Sequence, residues 1–261
     1  MYASRFQKRK ANAKRPVKRV PRKRSGGRKA ITKIVKSIIS SQAEQKSWFD
    51  YGANNSILTS VTVTPTYKNL VPVLSQGVGH SGRIGNEVRI KSGYVRGHVN
   101  ILPYSALSNP GPAPVFVKIW VLSCKQINDK VLSSTPISYD FFDVVNSSVG
   151  LQGNMLDMEL TINKDMWVSH GSKTVKIGAG FGTSTGNVSL QSYFDNSPMS
   201  APFYFNLGKI LKTCKYDDTS TTCSNKNLFL VFQCVSADGA TYSGSYAAEF
   251  HYAIRMDYED L

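Results

Sequence analysis

Thirteen lysines and arginines fall within the first thirty positions: Arg5, Lys8, Arg9, Lys10, Lys14, Arg15, Lys18, Arg19, Arg22, Lys23, Arg24, Arg28 and Lys29. Guanidinium and ammonium groups at this density pair with phosphates and release condensed counterions, with little sequence preference and a steep dependence on salt. The same clusters fit a nuclear localisation signal, so nuclear import receptors are a second expected partner. Lys33 and Lys36 bring the segment up to position 43 to 15 of the chain's 32 basic residues, without one Asp or Glu. The remaining 17 basic residues are matched by 17 acidic ones, so the net charge of +15 belongs to the N-terminal segment and the body is neutral on balance. A merely solubilising tail is the plainer alternative, but such tails do not exclude acids so completely.

Other chemistries find little support. Gly178-Ala179-Gly180-Phe181-Gly182 lacks dinucleotide-binding spacing and any Gly-Lys-Ser or Gly-Lys-Thr ending, and reads as a loop. His80-Ser81 sits without the strand-to-helix elbow of a nucleophilic serine. His80, His98, His170 and His251 are scattered, with no pair at metal-ligand spacing on a helix. Cys214 and Cys223 do not make a zinc knuckle, and Asp217-Asp218 reads as a solvated pair rather than a calcium loop. We therefore expect no catalytic residue, no metal and no cofactor. Four cysteines are too few for a disulfide framework in a chain of 261 residues and are expected to be reduced. No run of about 18 apolar residues and no apolar signal core occurs, so a membrane partner is not expected and the cytosol or nucleus is.

The elements that must carry this charge fall into three segments. Residues 1–30, punctuated by Pro16, Pro21 and Gly26-Gly27, hold too few apolar groups to offset ordering entropy and are expected to be a disordered nucleic-acid-binding arm. Residues 31–46 read as an amphipathic helix and linker. Ile31, Ile34, Val35, Ile38 and Ile39 fall at i, i+3, i+4, i+7 and i+8, one apolar stripe on a helix over 30–45. A helix this short needs a partner surface: its own globular domain, or copies of itself around a symmetry axis.

Residues 47–261 read as one β domain. Runs rich in Val, Ile, Thr, Phe and Tyr predict strands over 57–64, 87–102, 115–123, 155–162, 174–178, 203–207, 227–235 and 246–257, with a short helix near 138–145. Eight such strands predict an antiparallel jelly-roll β-sandwich. In the last strand Tyr246, Ala248, Phe250, Tyr252, Ile254 and Met256 alternate with mostly polar residues, giving one buried and one wet face. In 87–102 the apolar positions switch from even (Val88, Ile90) to odd (Val95, Val99, Ile101), which predicts a bulge at Ser92-Gly93. Arg83, Arg89 and Lys91, with Arg96 beyond the bulge, are expected to extend the basic surface.

The segment 76–92, Gln-Gly-Val-Gly-His-Ser-Gly-Arg-Ile-Gly-Asn-Glu-Val-Arg-Ile-Lys-Ser, resembles a block in capsid proteins of circular, Rep-encoding single-stranded DNA viruses. Phe141-Phe142-Asp143, Asp165-Met166-Trp167, Phe203-Tyr204-Phe205 and 227–232 follow in a similar order, so the likeness runs over most of the chain. Coats of small satellite RNA viruses are similar in both arm and fold. The resemblance implies a coat protein of the virion, present in the host nucleus during infection, that self-assembles as a homo-oligomer of sixty copies and packages a single-stranded genome, DNA in preference to RNA. The alternatives are a nuclear nucleic-acid-binding or shuttle protein that builds no shell, and a satellite RNA virus coat protein.

Overall fold

The structure is a computed structural model and describes residues 31–35, 44–58, 66–79, 81–102, 115–125, 141–144, 147–178, 198–236 and 246–260. The chain divides into two units, Met1–Gln42 and Ala43–Leu261. In the first, residues 31–35 are helical, with Ile31, Ile34 and Val35 exposed. Ile38, Ile39 and the thirteen basic residues of the arm lie outside the described residues.

The second unit is built of strands. β1 (Gln45–Leu58), β11 (Tyr246–Asp260), β3 (Glu87–Ile101) and β8 (Ser200–Asn206) lie side by side in that order, with β9 (Thr213–Lys215) also paired to β3. The other sheet runs β2 (Thr66–Asn69), β10 (Phe229–Ser236), β4 (Val115–Cys124) and β7 (Trp167–Ile177). Every pairing of named strands is antiparallel. Counting in chain order only the eight strands that form these two rows, one sheet contains the first, eighth, third and sixth, and the other the second, seventh, fourth and fifth. That interleaving is the jelly roll: an eight-stranded antiparallel β-sandwich. A small hairpin, β5 (Phe142–Val144) with β6 (Ser147–Val149), stands apart.

The two sheets meet through one apolar core. Phe232 of β10 stacks on Phe250 of β11 at 4.0 Å between ring centroids and meets Phe203 of β8 edge-on at 5.8 Å. Val88, Val95, Val99, Val117, Ile119 and Ile254 are fully buried around them. Close approach is built into this layer at Gly97, where a Cβ would lie 1.9 Å from the His251 carbonyl oxygen.

A second, smaller cluster covers the far face of the β2-β10-β4-β7 sheet. Trp120 and Leu122 of β4 and Val231 of β10 point away from the main core into Phe141, Phe142 and Trp167, and Phe141 sits edge-on to Trp120 at 5.3 Å. The end of β4 is tied to the segment before β10 by one side chain. The Asn227 amide accepts from Cys124 N at 2.7 Å and donates to Cys124 O at 3.0 Å.

Three sequence expectations give way here. β1 begins at Gln45, inside the segment read as helix and linker, because from Lys46 onward alternate residues turn inward. Trp48 enters the core, and the buried Lys46 ammonium is held by Glu44 at 3.2 Å and Asp260 at 3.5 Å. Residues 155–162, apolar on even numbers, are not a strand: Leu156–Glu159 is a helical turn. Its cause is Asp157, fully buried, whose carboxylate accepts from Gln152 N and Gly153 N, both at 2.7 Å, and from the Gln233 side chain. Burial pushes that carboxyl's pKa up, while these hydrogen bonds pull it back. The helix expected near 138–145 is instead the start of the β5-β6 hairpin at Phe142, with 126–140 outside the described residues. Among the described residues no helix is long and apolar enough to cross a membrane.

Replacing Phe232 by Ala should lower folding stability by about 3–5 kcal/mol, read from the urea midpoint, because it removes a buried ring between the sheets. Gly97→Ala should not fold into this register at all, since its methyl collides with backbone; loss of near-ultraviolet circular dichroism would report it.

Candidate nucleic-acid interface

Of the basic residues picked out beyond the arm, Arg83 turns out to have another task. It is fully buried. One terminal nitrogen donates to Gly85 O and Asn86 Oδ1, both at 2.8 Å; the other donates to Asp217 O at 2.7 Å and Ser220 O at 2.9 Å. Its guanidinium lies 5.0 Å from the Tyr216 ring centroid. A cation buried this deeply and bound to the fold by both terminal nitrogens is not displayed at the surface, where the sequence placed it. Arg83 clamps the turn before β3 to the loop that follows β9.

The glycine-rich block closes on itself around that clamp. Arg83 N donates to Ser75 O at 2.9 Å, Gly77 N to Arg83 O at 2.8 Å, and Tyr258 Oη to Gly82 O at 2.8 Å. At Gly82 a Cβ would stand 2.6 Å from Gly77 O, so the turn needs a residue without one. Asp260 receives Ile84 N at 2.5 Å and Gly85 N at 3.1 Å. These contacts fix where β3 begins.

β3 carries the bulge that its apolar switch predicted. Asp257 pairs with Ser92 and Tyr258 with Ile90, so Lys91 is the extra residue, next to the expected position. Asp257 stitches three strands together: its carboxylate accepts from Ser92 Oγ at 2.7 Å, Ser47 Oγ at 2.9 Å and Arg255 Nε at 3.0 Å. Partial burial works against ionisation, yet these donors hold its pKa below the usual carboxylate range. Lys91 pairs with the buried Glu259 carboxylate. Arg89 and Arg96 are exposed, and among the described residues neither enters an ion pair.

Beyond the bulge, the face of the β1-β11-β3-β8 sheet turned away from the core alternates aromatic rings and guanidinium groups. The register sets Phe49, Arg255, Tyr94 and Asn206 in one row, and Tyr51, Ala253, Arg96 and Tyr204 in the next. Tyr51 is 82% exposed, Phe49 61% and Tyr204 59%. The Arg255 guanidinium stands 5.2 Å from the Phe49 ring centroid, and that of Arg96 stands 5.5 Å from Tyr94. Tyr94 and Tyr204 stack at 5.9 Å, 26° from parallel. The structure thus gathers Arg89, Lys91 and Arg96 on one sheet face, excludes Arg83, and adds Arg255 with four aromatic residues that the sequence reading passed over. Alternation was their available signal: in β1 and β8 the large residues at 49, 51 and 204 occupy the positions opposite the core.

Elsewhere among the described residues the titratable groups make no second centre. Among the described residues no three of His, Cys, Asp and Glu gather as a metal could require. The four cysteines are free and buried, and the hydrogen bond between the Cys214 and Cys223 thiols pushes the pKa of Cys214 up and that of Cys223 down.

Strand order and surface together define a jelly-roll β-sandwich with an arginine and aromatic lattice on one outer face and a cationic N-terminal segment. Comparison with known proteins adds no family: no family model matches, and no curated protein matches. Among solved structures, the chain is similar to one of Desmodium yellow mottle tymovirus, at 10% identity over 100% of this chain and 93% of that one, with a TM-score of 0.33. It is similar also to an empty head of turnip yellow mosaic virus, at 8% identity over 84% of this chain and 80% of that one, with a TM-score of 0.32. The fold assignment rests on the strand order and not on these likenesses.

Arg83→Ala should destabilise the fold by about 3 kcal/mol, because it empties a buried site and takes the donor from the Gly85, Asp217 and Ser220 carbonyls. It should leave the salt dependence of nucleic-acid binding unchanged. Arg89→Ala and Arg96→Ala should do the reverse, each lowering the slope of log affinity against log salt by about 0.7 on single strands with the denaturation midpoint held.

Proposed function

We propose that the protein is a structural, non-enzymatic capsid protein. Its sandwich tiles a small closed shell, its N-terminal segment condenses a single-stranded genome, and it acts in the virion. The observation that carries this reading is the division of charge. All of the net +15 lies on the first 43 residues, while the jelly-roll unit balances 17 basic against 17 acidic residues. A neutral body lets identical subunits approach without mutual repulsion, and a polycation attached to it brings phosphate to the assembly. Jelly rolls are a recurring architecture of capsid domains, and of lectins and cupins, so the fold is compatible with the role without selecting it.

Sixty copies, the number implied by the resemblance of residues 76–92 to capsid proteins of circular single-stranded DNA viruses, would bring about 900 positive charges, matching a similar number of phosphates. DNA is favoured over RNA on that resemblance alone. The basic clusters suit nuclear import receptors as well, and a shuttle protein without a shell would share them.

Purified full-length protein should form uniform closed particles under the electron microscope. A chain lacking residues 1–43 should lose most of the salt dependence of nucleic-acid binding. A stable monomer at high concentration in both forms would overturn the capsid role, and equal salt slopes with and without the arm would overturn the arm as the main contact.

A further inference from the structure

The arm accounts for attraction to phosphates, but not for the rings exposed on the sheet. We propose that the outer face of the β1-β11-β3-β8 sheet is a stacking surface for unpaired nucleobases, so that the folded unit itself distinguishes single-stranded from double-stranded nucleic acid. This rests on the nucleic-acid-binding part of the reading above and not on the shell.

Three observations lead there. First, the rings are offered to solvent rather than tucked down: Phe49, Tyr51 and Tyr204 are each more than half exposed. They stand on a rigid, hydrogen-bonded sheet in two rows about 7 Å apart, the repeat of two residues along a strand. Every base has a π-face, so aromatic residues fixed in this way bind bases with little regard to sequence. Second, cations are interleaved with the rings. Arg255 lies against Phe49 and Arg96 against Tyr94, with Arg89 and Arg96 free of ion pairs among the described residues, so phosphates flanking a stacked base find guanidinium groups beside it. Third, the carboxylates of the face are already engaged: Glu87 with Lys215, Glu249 with His251, Asp257 with Arg255 and Glu259 with Lys91. A second copy meeting this face with its own would bury Arg89 and Arg96 with no carboxylate left to receive them. A polyanion supplies the missing charge.

A duplex keeps its bases stacked on one another and offers the rings nothing. Binding here should therefore persist at salt concentrations that strip phosphate contacts from the arm, and only for single strands.

The test uses the full chain and a short oligodeoxythymidylate carrying one 2-aminopurine, whose fluorescence is quenched on stacking. Anisotropy of an end-labelled strand at low salt reports the arm, and 2-aminopurine quenching at raised salt reports the sheet. The doubly substituted Tyr51→Ala, Tyr204→Ala chain should bind at low salt nearly as wild type does, yet lose quenching affinity about tenfold or more at raised salt. Tyr51→Phe with Tyr204→Phe should retain it, because the ring and not the hydroxyl is at work. The same probe annealed to its complement should show no salt-resistant binding to the native chain. Unchanged quenching in the alanine chain, equal loss in the phenylalanine chain, or equal salt-resistant affinity for the duplex would each overturn the proposal. So would alanine variants that stop particles forming while quenching survives, since the face would then be a contact between subunits. Loss of low-salt binding by the unaltered protein would instead overturn the arm's role, and is read separately.

Discussion

The placement of Lys91 as the extra residue of a bulge in β3 is the constraint on which the outer sheet face depends. Side chains alternate along a strand, so one residue more or fewer exchanges the buried set for the exposed one. With the bulge, Val88 and Ile90 on one side of it and Val95 and Val99 on the other all reach the core. Tyr94 and Arg96 then face out beside Arg255 and Tyr204. Without it, Tyr94 and Arg96 would point between the sheets, and an uncompensated guanidinium there would be far more costly than the strand pairing is favourable. Asp257 holds this register from three strands at once, and the Arg83 and Asp260 contacts hold the turn that feeds it. The basic residues of the segment 76–92 therefore divide between support and surface, with neighbours in sequence doing unlike things.

The two sheets are solved differently because one is covered twice. The β1-β11-β3-β8 sheet has one apolar face and one that carries charge and rings. The β2-β10-β4-β7 sheet packs on the main core with one face and on Trp120, Phe141, Phe142 and Trp167 with the other. Lys118 shows the cost of polar groups there. Burial lowers its pKa, and its ammonium is answered by the Asp157 and Met158 carbonyls and the Trp120 ring.

How much could be read from the residues follows from the same division. β11 and β3 announced themselves because one face is wet and the period of two is visible, and the bulge could be placed to within a residue from the change of parity. β4 and β10 were legible as predominantly apolar runs, interrupted within by Lys118 and Gln233. β1 was missed because Lys46, Gly52 and Asn54 interrupt its pattern; the Lys46 charge is neutralised by Asp260 from the other end of the chain, and Asn54 has a positive φ of 56°. The turn at 156–159 was missed for a related reason: its determinant is a buried carboxylate whose partner Gln233 lies 76 positions away. Arg83 looked like surface because burial of an arginine depends on carbonyl groups from 217–220, which no local window contains. The lattice of rings and guanidinium groups comes from four strands distant in sequence, and only their register reveals it.

The amide of Asn227 carries a consequence for how the chain finds this structure. Apart from Lys118 and Gln233, β4 and β10 are apolar toward both sides, so sliding one past the other by a residue would trade one oily surface for another with little change in apolar burial. Hydrophobic patterning proofreads the alignment of β11 with β3 but is nearly blind to that of β10 with β4. The two hydrogen bonds between the Asn227 amide and the Cys124 backbone exist in one alignment only, so with Gln233 and Lys118 on the 157–158 turn this polar side chain is a locating peg of an otherwise slippery joint.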